Sequence, residues 1–478
     1  MTGRSFPWQW VLPAGLVILA LVACGPGDGA EEVQRPNILL MVADDLGYGD
    51  LGCYGVEDIR TPNIDNLARQ GVRLTRFYAN APECTPTRTA LLTGRYQQRV
   101  GGLECAIGAG NIGRYEEAMW LWERKELGLP PAESTLLHSL KQAGYRTAML
   151  GKWHLGYEQK FRPDRHGFDY SFGNIGYGGD YFYHIEQDDI DLEDFTGAHN
   201  LAENGKEVFH DGHYMTHLIT EKAIDWLEGL EPHEPFFLYL PYTAPHTPFQ
   251  GPGDDRGRPL EGDEWTQGSR AKYIEMVEAL DGGVGKILAY LAEQQLDDQT
   301  LVIFFSDNGG RAREANNGIL SGQKGQVYEG GIRVPCIIRW PGKIARHAVS
   351  DQMAISFDLT RSIIQLSGAG TGDLQLDGFD IIGHIIRKEL DVERTLFWRK
   401  KRGERVHKAI NDKGYKYLIV WNNGSLEEER LFNLTDDPSE SIDLLRVMPE
   451  KAGELRGKLA DWEKEVIAPR LREFKEGP

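Results

Sequence analysis

Ile38-Leu39-Leu40-Met41-Val42-Ala43-Asp44-Asp45 decides how the rest of the chain is read: an apolar run long enough for one buried strand leads directly into two adjacent carboxylates. The pattern returns three times. Thr147–Leu150 precedes Gly151-Lys152-Trp153-His154, Phe236–Leu240 precedes Pro245-His246, and Leu301–Phe305 precedes Ser306-Asp307-Asn308-Gly309. Parallel strands put their carboxyl ends on one edge of an open α/β sheet, and ligands bind at that edge. Helix-like stretches lie between: Leu136, Leu137, Leu140 and Ala143 closed by Gly144, and Ile274, Val277, Leu280, Val284, Ile287, Leu288 and Leu291 at helical spacing. This alternation predicts an α/β fold, a large mostly parallel sheet sandwiched by helices.

Past about Asp380 the texture changes. Thr395–Trp398, Arg405–Ile410 and Tyr415–Trp421 read as short strands separated by turns, and Glu450–Glu476 as a terminal helix. The expected organisation is a catalytic domain over residues 35–385 and a smaller antiparallel sheet plus helix over 386–478. The basic run Arg399-Lys400-Lys401-Arg402 has two readings, a clamp on an anionic glycan or a solvated hairpin tip, and the tip is the expectation.

The 478 residues carry 53 Lys+Arg against 72 Asp+Glu, a net charge of −19, with 41% hydrophobic residues. That is enough apolar mass for a sizeable core, which excludes a disordered chain or a disulfide miniprotein. The acidic excess argues against nucleic acid as a partner, because binding through bulk charge needs a positive field. An anionic substrate therefore requires a local cluster of cations.

The front end is read as leaving the fold. Arg4 precedes the apolar run Trp10–Val22, which as a helix reaches only ~20 Å against a hydrocarbon core of ~30 Å. Residues 1–23 read as a signal peptide. Leu21-Val22-Ala23-Cys24 resembles a bacterial lipobox, so residues 24–34 read as a tether lipidated on Cys24, and the chain as an exported lipoprotein anchored to a membrane and facing the periplasm or cell surface. The alternative is a soluble secreted protein. With Cys24 and Cys84 assigned to lipid and to chemistry, Cys53, Cys105 and Cys336 leave room for at most one disulfide.

The densest chemical signal is Cys84-Thr85-Pro86-Thr87-Arg88, continuing to Thr89-Ala90-Leu91-Leu92-Thr93-Gly94-Arg95. Thr85 suits an N-cap and Pro86 a first helical position, which puts Cys84 at a helix N-terminus with Arg88 one turn on. Asp44, Asp45, Asp307 and Asn308 form a second group. All four offer hard oxygen ligands, and carboxylates converge only around a cation, so Ca²⁺ or Mg²⁺ suits them better than Zn²⁺. Each motif alone has a plainer reading: a buried structural cysteine, a turn or N-cap at the acidic pairs, a solvated Lys152 and His154, a surface His246 in a Pro-rich loop. The shared placement of the acidic pairs at strand ends, taken together with the motifs Cys84–Arg95 and Gly144–His154, favours chemistry.

The CxPxR segment with TxLLTGR, and Gly144-Tyr145-Arg146-Thr147-Ala148-Met149-Leu150-Gly151-Lys152-Trp153-His154 after it, resemble the two signatures of the type I sulfatases of the alkaline-phosphatase-like superfamily. Ser321-Gly322-Gln323-Lys324-Gly325 and Leu431-Phe432-Asn433-Leu434-Thr435-Asp436-Asp437-Pro438 extend the likeness to the C-terminus. The resemblance implies that a maturation enzyme oxidises Cys84 to formylglycine, and that Ca²⁺, ahead of Mg²⁺, is bound by Asp44, Asp45, residue 84, Asp307 and Asn308. It implies a hydrated aldehyde attacking sulfur with help from Asp307, Arg88 holding the diol, Lys152 and Lys324 on the sulfate oxygens, His246 as general acid and His154 as the base that releases sulfate. The implied substrate is a sulfated carbohydrate, with a galacto-configured sugar suggested by likeness to galactosamine-sulfate hydrolases. A phosphomonoesterase or phosphonate hydrolase of the same superfamily and a non-catalytic glycan-binding lipoprotein are the rival readings. The glycine-rich stretch Gly101–Tyr115 is a candidate for lining the mouth of the site, or an ordinary surface loop, and Trp153, Tyr177, Tyr181, Tyr183 and Trp265 are candidates for stacking on sugar rings.

Overall fold

Every residue of the strand Asn37–Ala43 is buried, so it needs partners along both edges and cover on both faces. It has them. In the computed structural model, which describes residues 1–5, 7, 35–108, 112–187 and 195–476, it lies near the middle of a ten-stranded sheet. The order across the sheet is Ala348–Ser350, Val72–Leu74, Cys336–Arg339, Thr300–Ser306, Asn37–Ala43, Phe236–Pro241, Arg146–Leu150, Tyr170–Asn174, Leu201–Glu203 and Lys206–Glu207. The five strands from Thr300–Ser306 to Tyr170–Asn174 are mutually parallel, with antiparallel pairs toward both edges.

Strand alternation distributes the core between two layers. Ile38, Leu40 and Val42 pack with Leu91, Leu92, Leu136, Leu140 and Ile363 on one face. Leu39, Met41 and Ala43 pack with Ile64, Leu67, Leu218, Val277, Leu280 and Val284 on the other. The helical period predicted around Ile274–Leu291 belongs to a helix over Arg270–Glu293, whose Ser269 side chain accepts from the Lys272 N–H and caps it. Among the described residues no helix is long and apolar enough to cross a membrane. The apolar run Trp10–Val22, Cys24 and the tether lie outside the described residues.

At the C-terminal end, Thr395–Arg402, Arg405–Asp412, Tyr415–Asn422 and Ser425–Asn433 form a four-stranded antiparallel sheet in chain order, packed against the helix Pro449–Glu465. The described residues from Arg35 onward fold as one compact unit. Two expectations need correction here. The terminal helix does not run unbroken to Glu476; it ends at Glu465 and restarts after Pro469, whose ring and missing N–H cannot continue it. Nor is Arg399–Arg402 a solvated tip. Arg399 pairs with Glu104 and Glu463, Lys400 with Glu83 and Lys401 with Glu117, because acidic residues remote in sequence converge on this strand.

Candidate active site

The register of the central strands brings the four loops together. Ala43 lies opposite Ser306 and Val42 opposite Pro241, so Asp44-Asp45, Asp307-Asn308 and the segment leading to His246 leave the sheet side by side. Gly151 then turns the next loop across the strand ends, its φ of +132° and its packing against the Pro241 carbonyl excluding any side chain. That turn lets the Lys152 N–H donate to the Pro241 carbonyl at 2.7 Å and carries the lysine side chain into the centre.

Cys84 is the first residue of the buried helix Cys84–Thr93. The expected cap differs: Glu83, not Thr85, precedes the helix, and Pro86 occupies its third position, where its missing N–H is one of the unpaired first four. Thr85 instead donates to the His154 carbonyl and accepts from the Ile107 N–H, tying the helix start to two neighbouring loops. Lys152 Nζ and Lys324 Nζ lie 3.6 and 3.9 Å from Cys84 Sγ. Lys152 Nζ also reaches Asp44 Oδ2 at 2.5 Å, and Lys324 Nζ lies 2.6 Å from Asp45 Oδ1. Arg88 meets Asp307 Oδ2 at 2.8 Å and Asp44 Oδ2 at 3.5 Å, and donates to the Lys152 carbonyl, so its guanidinium braces carboxylates and backbone together. Three carboxylates face three cations.

Ligand atoms of Asp44, Asp45, Cys84 and His246 all lie within 4.8 Å of one another. Asn308 Nδ2 donates to Asp45 Oδ1 at 2.8 Å, and the Asp45 N–H reaches Asp307 Oδ1 at 3.4 Å, which joins the second acidic loop to the first. Two oxygens in this cluster, Asp44 Oδ1 and Asn308 Oδ1, are buried without a hydrogen-bond partner. A buried orphan oxygen is costly unless something positive meets it. The oxygens of Asp44, Asp45, Asp307 and Asn308 suit a hard divalent cation such as Ca²⁺ or Mg²⁺, whereas the Cys84 thiol and His246 imidazole beside them are not ligands such an ion favours.

Electrostatics follow from burial and this charge pattern. Burial raises the Asp44 carboxyl, but Lys152, His246, Arg88 and Lys324 outweigh it and hold the group far below the usual carboxylate range. Burial and the neighbouring Asp44 push Asp307 up, against Arg88 and Lys152. The Cys84 thiol is raised to about 12 by burial, only partly offset by the two lysines. An unmodified thiol is therefore a poor nucleophile here, since reactivity needs the thiolate.

The two histidines are set differently. His154 Nε2 lies 2.5 Å from the Ile107 carbonyl and Nδ1 has no partner, which assigns the proton to Nε2 and leaves Nδ1 as an acceptor. Burial and Lys152 keep it neutral. His246 Nδ1 donates to the Thr247 carbonyl at 2.6 Å, while Nε2 stands 3.8 Å from Asp45 Oδ2. Burial and the two lysines lower its pKa to about 4.

The glycine-rich stretch meets the site through Ile107 and Ala106; Ala109–Asn111 lie outside the described residues. Of the aromatic candidates, Trp153 and Tyr181 are core residues. Trp153 Nε1 donates to the Phe161 carbonyl, and the Tyr181 hydroxyl donates to the Thr243 and His246 carbonyls, bracing the His246 loop. Half-buried Tyr177 has its ring centroid 6.4 Å from that of His154 and 6.5 Å from that of His246. Tyr183 and Trp265 bond instead to Asp255 and the Leu260 carbonyl. Cys53, Cys105 and Cys336 are free thiols. Sequence reasoning missed Glu83, Lys400 and Glu186 as members of this region, all buried around these loops, since no local pattern marks a residue whose partners only the fold brings near.

A family model described as Sulfatase matches residues 36–369, more than half of the chain, and one described as N-sulphoglucosamine sulphohydrolase, C-terminal, matches residues 322–463. The chain is 33% identical over 423 residues to the N-acetylgalactosamine-6-sulfatase of Canis lupus familiaris, covering 87% of this chain and 77% of that protein. It is 31% identical over 472 residues to arylsulfatase A of Homo sapiens, covering 90% and 86% of the two chains. The crystal structure of Ps i-CgsB in complex with k-i-k-neocarrahexaose superposes with a TM-score of 0.77 at 31% identity, over 90% of this chain and 93% of that one. With that likeness spanning both the parallel sheet and the C-terminal sheet, and with the cysteine, lysines and carboxylates gathered at one sheet edge, the chain belongs to the sulfatase family and is a sulfuric ester hydrolase.

Proposed function

We propose that the protein hydrolyses sulfate monoesters of a galacto-configured sugar, R–O–SO₃⁻ + H₂O giving R–OH, SO₄²⁻ and H⁺, with residue 84 in its formylglycine form and a divalent cation at the acidic cluster. The observation that carries this is the flanking of residue 84 by the ammonium groups of Lys152 and Lys324 on one hand and, on the other, by a carboxylate and an amide, Asp44 and Asn308, each with an orphan oxygen. A formylglycine at position 84 would, in its hydrated form, offer one hydroxyl as nucleophile and a second through which sulfate could be released, a route closed to a plain Ser or Cys. Asp44, Asp45, Asp307 and the Asn308 amide oxygen would hold a divalent cation, which would add to the positive charge these carboxylates draw from Lys152, Lys324 and Arg88 and would lower the pKa of an oxygen beside it.

The chain's own residues do the rest. Lys152 and Lys324 sit where they can neutralise sulfate oxygens at sulfur's attack position beside residue 84. Arg88 fixes Asp307 and Asp44 relative to one another. His246 Nε2 is the proton donor to the leaving alkoxide. An arriving sulfate offsets the two lysine charges that depress its pKa, which moves the ring toward its protonated form. His154 Nδ1, an acceptor with no other partner, takes the proton that releases sulfate. Tyr177, between the two imidazoles, is placed to pack on the sugar. The galacto preference is drawn from the N-acetylgalactosamine-6-sulfatase relatives, and export as a Cys24 lipoprotein from the leader sequence alone.

Release of inorganic sulfate from a panel of defined sulfated sugars, beside p-nitrophenyl sulfate and p-nitrophenyl phosphate, tests the reading, with mass spectrometry of the residue-84 peptide. The aldehyde mass and preferred sulfate release from a galacto-configured sugar are expected. A preference for phosphate, or full multiple turnover by Cys84→Ser, overturns it.

A further inference from the structure

We propose that Lys400, from the C-terminal sheet, is a positioning residue of the catalytic centre that locks the start of the Cys84 helix to the loop carrying Lys324. The side chain is almost fully buried, and its Nζ stands 2.7 Å from Glu83 Oε1 and 2.8 Å from the Gly325 carbonyl. Glu83 immediately precedes Cys84, and Gly325 immediately follows Lys324. The same two segments also meet directly, the Gly325 N–H donating to the Pro82 carbonyl at 2.8 Å. Gly325 has a φ of +86°, and a β-carbon there would stand 3.2 Å from Lys400 Nζ, so the loop's glycine makes room for the ammonium.

The lock reaches a third catalytic group. Glu83 Oε2 accepts from the Ala106 N–H at 2.7 Å, and the neighbouring Ile107 carbonyl is the acceptor that orients His154. One buried carboxylate, neutralised by Lys400 and by Arg402 at 3.2 Å, thus connects the elements that carry residue 84, Lys324 and His154. An ammonium suits the position because it has several donors for two acceptors on different strands of chain. Lys400 itself touches none of the reacting atoms. Its effect on the reaction runs through the distance between Lys324 and residue 84, and a displacement of about an ångström at such a distance can cost up to about a hundredfold in rate.

The inference rests on the sulfatase reading, and wild-type turnover of p-nitrophenyl sulfate reports on that reading separately. The test compares wild type, K400M, K400R and the double variant K400M/E83Q, each normalised to its aldehyde content at residue 84. Measured are KM for p-nitrophenyl sulfate, Kd for inorganic sulfate and melting temperature. K400M leaves Glu83 short of a partner and is expected to be less stable. In K400M/E83Q the buried charge is gone, so melting temperature returns toward wild type while the Gly325 carbonyl still lacks its donor. The lock predicts that KM and sulfate Kd remain raised about tenfold in that stable double variant, and that K400R brings both back to within about threefold of wild type. Recovery of KM and Kd together with melting temperature in the double variant overturns the proposal and reduces Lys400 to packing. If K400M alone does not fold, the double variant and K400R decide the question.

Discussion

Glu186→Gln is expected to stabilise the protein, by an amount that grows with pH. Glu186 is buried, accepting from the Asn200 amide at 2.8 Å and from the Tyr157 hydroxyl at 3.1 Å, and burial raises its pKa from the ordinary 4.5 to about 8 despite these bonds and Lys152. The sign follows from linkage. Below pH 4.5 the carboxyl is protonated in both the folded and unfolded chain, and its contribution to stability is fully present. Between 4.5 and about 8 the unfolded chain ionises while the fold retains the proton, so stability falls as pH rises, by roughly 1.4 kcal/mol per pH unit. At pH 7 the cost is about 3 kcal/mol. A glutamine is a neutral isostere that keeps an acceptor for Asn200 and a polar partner for Tyr157, and it carries no such cost. Urea unfolding of both proteins at pH 5, 6, 7 and 8, at constant ionic strength and calcium, measures the difference. Near-coincident midpoints at pH 5 that separate progressively toward pH 8 are expected. A difference that stays constant with pH refutes the reasoning, since it means that Glu186 is already ionised in the fold and held so by Lys152.

His246→Ala should lower kcat on a sugar sulfate by about 10²–10⁴, and far less on p-nitrophenyl sulfate, whose phenolate leaves without a proton; equal losses on both substrates remove His246 from the acid role. Chelation should lower the melting temperature and Ca²⁺ restore it, a site filled at a hundredfold excess over Kd contributing about 2.7 kcal/mol, and Asp45→Asn should abolish that calcium response while remaining folded. Wild-type melting indifferent to chelator and calcium contradicts the cation site. Cys24→Ala should move the protein from the membrane pellet to the soluble fraction after export; unchanged sedimentation with membranes contradicts the lipid anchor.

The parts of this molecule legible in sequence are those whose cause is local. An apolar run such as Ile38–Ala43 buried on both faces has to be central, and the polar residues after it then lie at the sheet edge. Lys324 is readable only through motif resemblance, because no strand pattern precedes it, whereas His246 also follows the apolar run Phe236–Leu240. Three of the four C-terminal strands were visible as strand-like stretches, but the partners of Arg399, Lys400 and Lys401 were not: Glu83, Glu104 and Glu117 come from loops and helices that only the fold brings near. A basic run in isolation is best satisfied by water, and the acidic residues that replace water here carry no local signal. Glu186 was invisible as well, its raised pKa coming from burial in the fold and opposed by the bonds from Asn200 and Tyr157. Thr85 was misread as a cap because its hydroxyl finds better partners in two other loops than in its own helix.

The site also runs against local preference, which explains why it sits where it does in the sheet. Asp45 and His154 both take left-handed backbone conformations, with φ of 65° and 59°, a region that costs a non-glycine residue on the order of 1–2 kcal/mol. Each lies just past a central strand, one after Asn37–Ala43 and the other in the loop after Arg146–Leu150. Glycine would relieve both turns but would remove the carboxylate at one and the imidazole at the other. Asp44, Asp45 and Asp307 add mutual repulsion in a buried setting, countered by Arg88, Lys152 and Lys324. A short edge strand such as Lys206–Glu207 has too little buried surface to hold such a conformation against its alternatives. Strands paired on both edges and packed on both faces have enough, so the strained turns and the crowded charges fall at the carboxyl ends of the most constrained part of the sheet. Their positions are set by that frame rather than by the turns themselves.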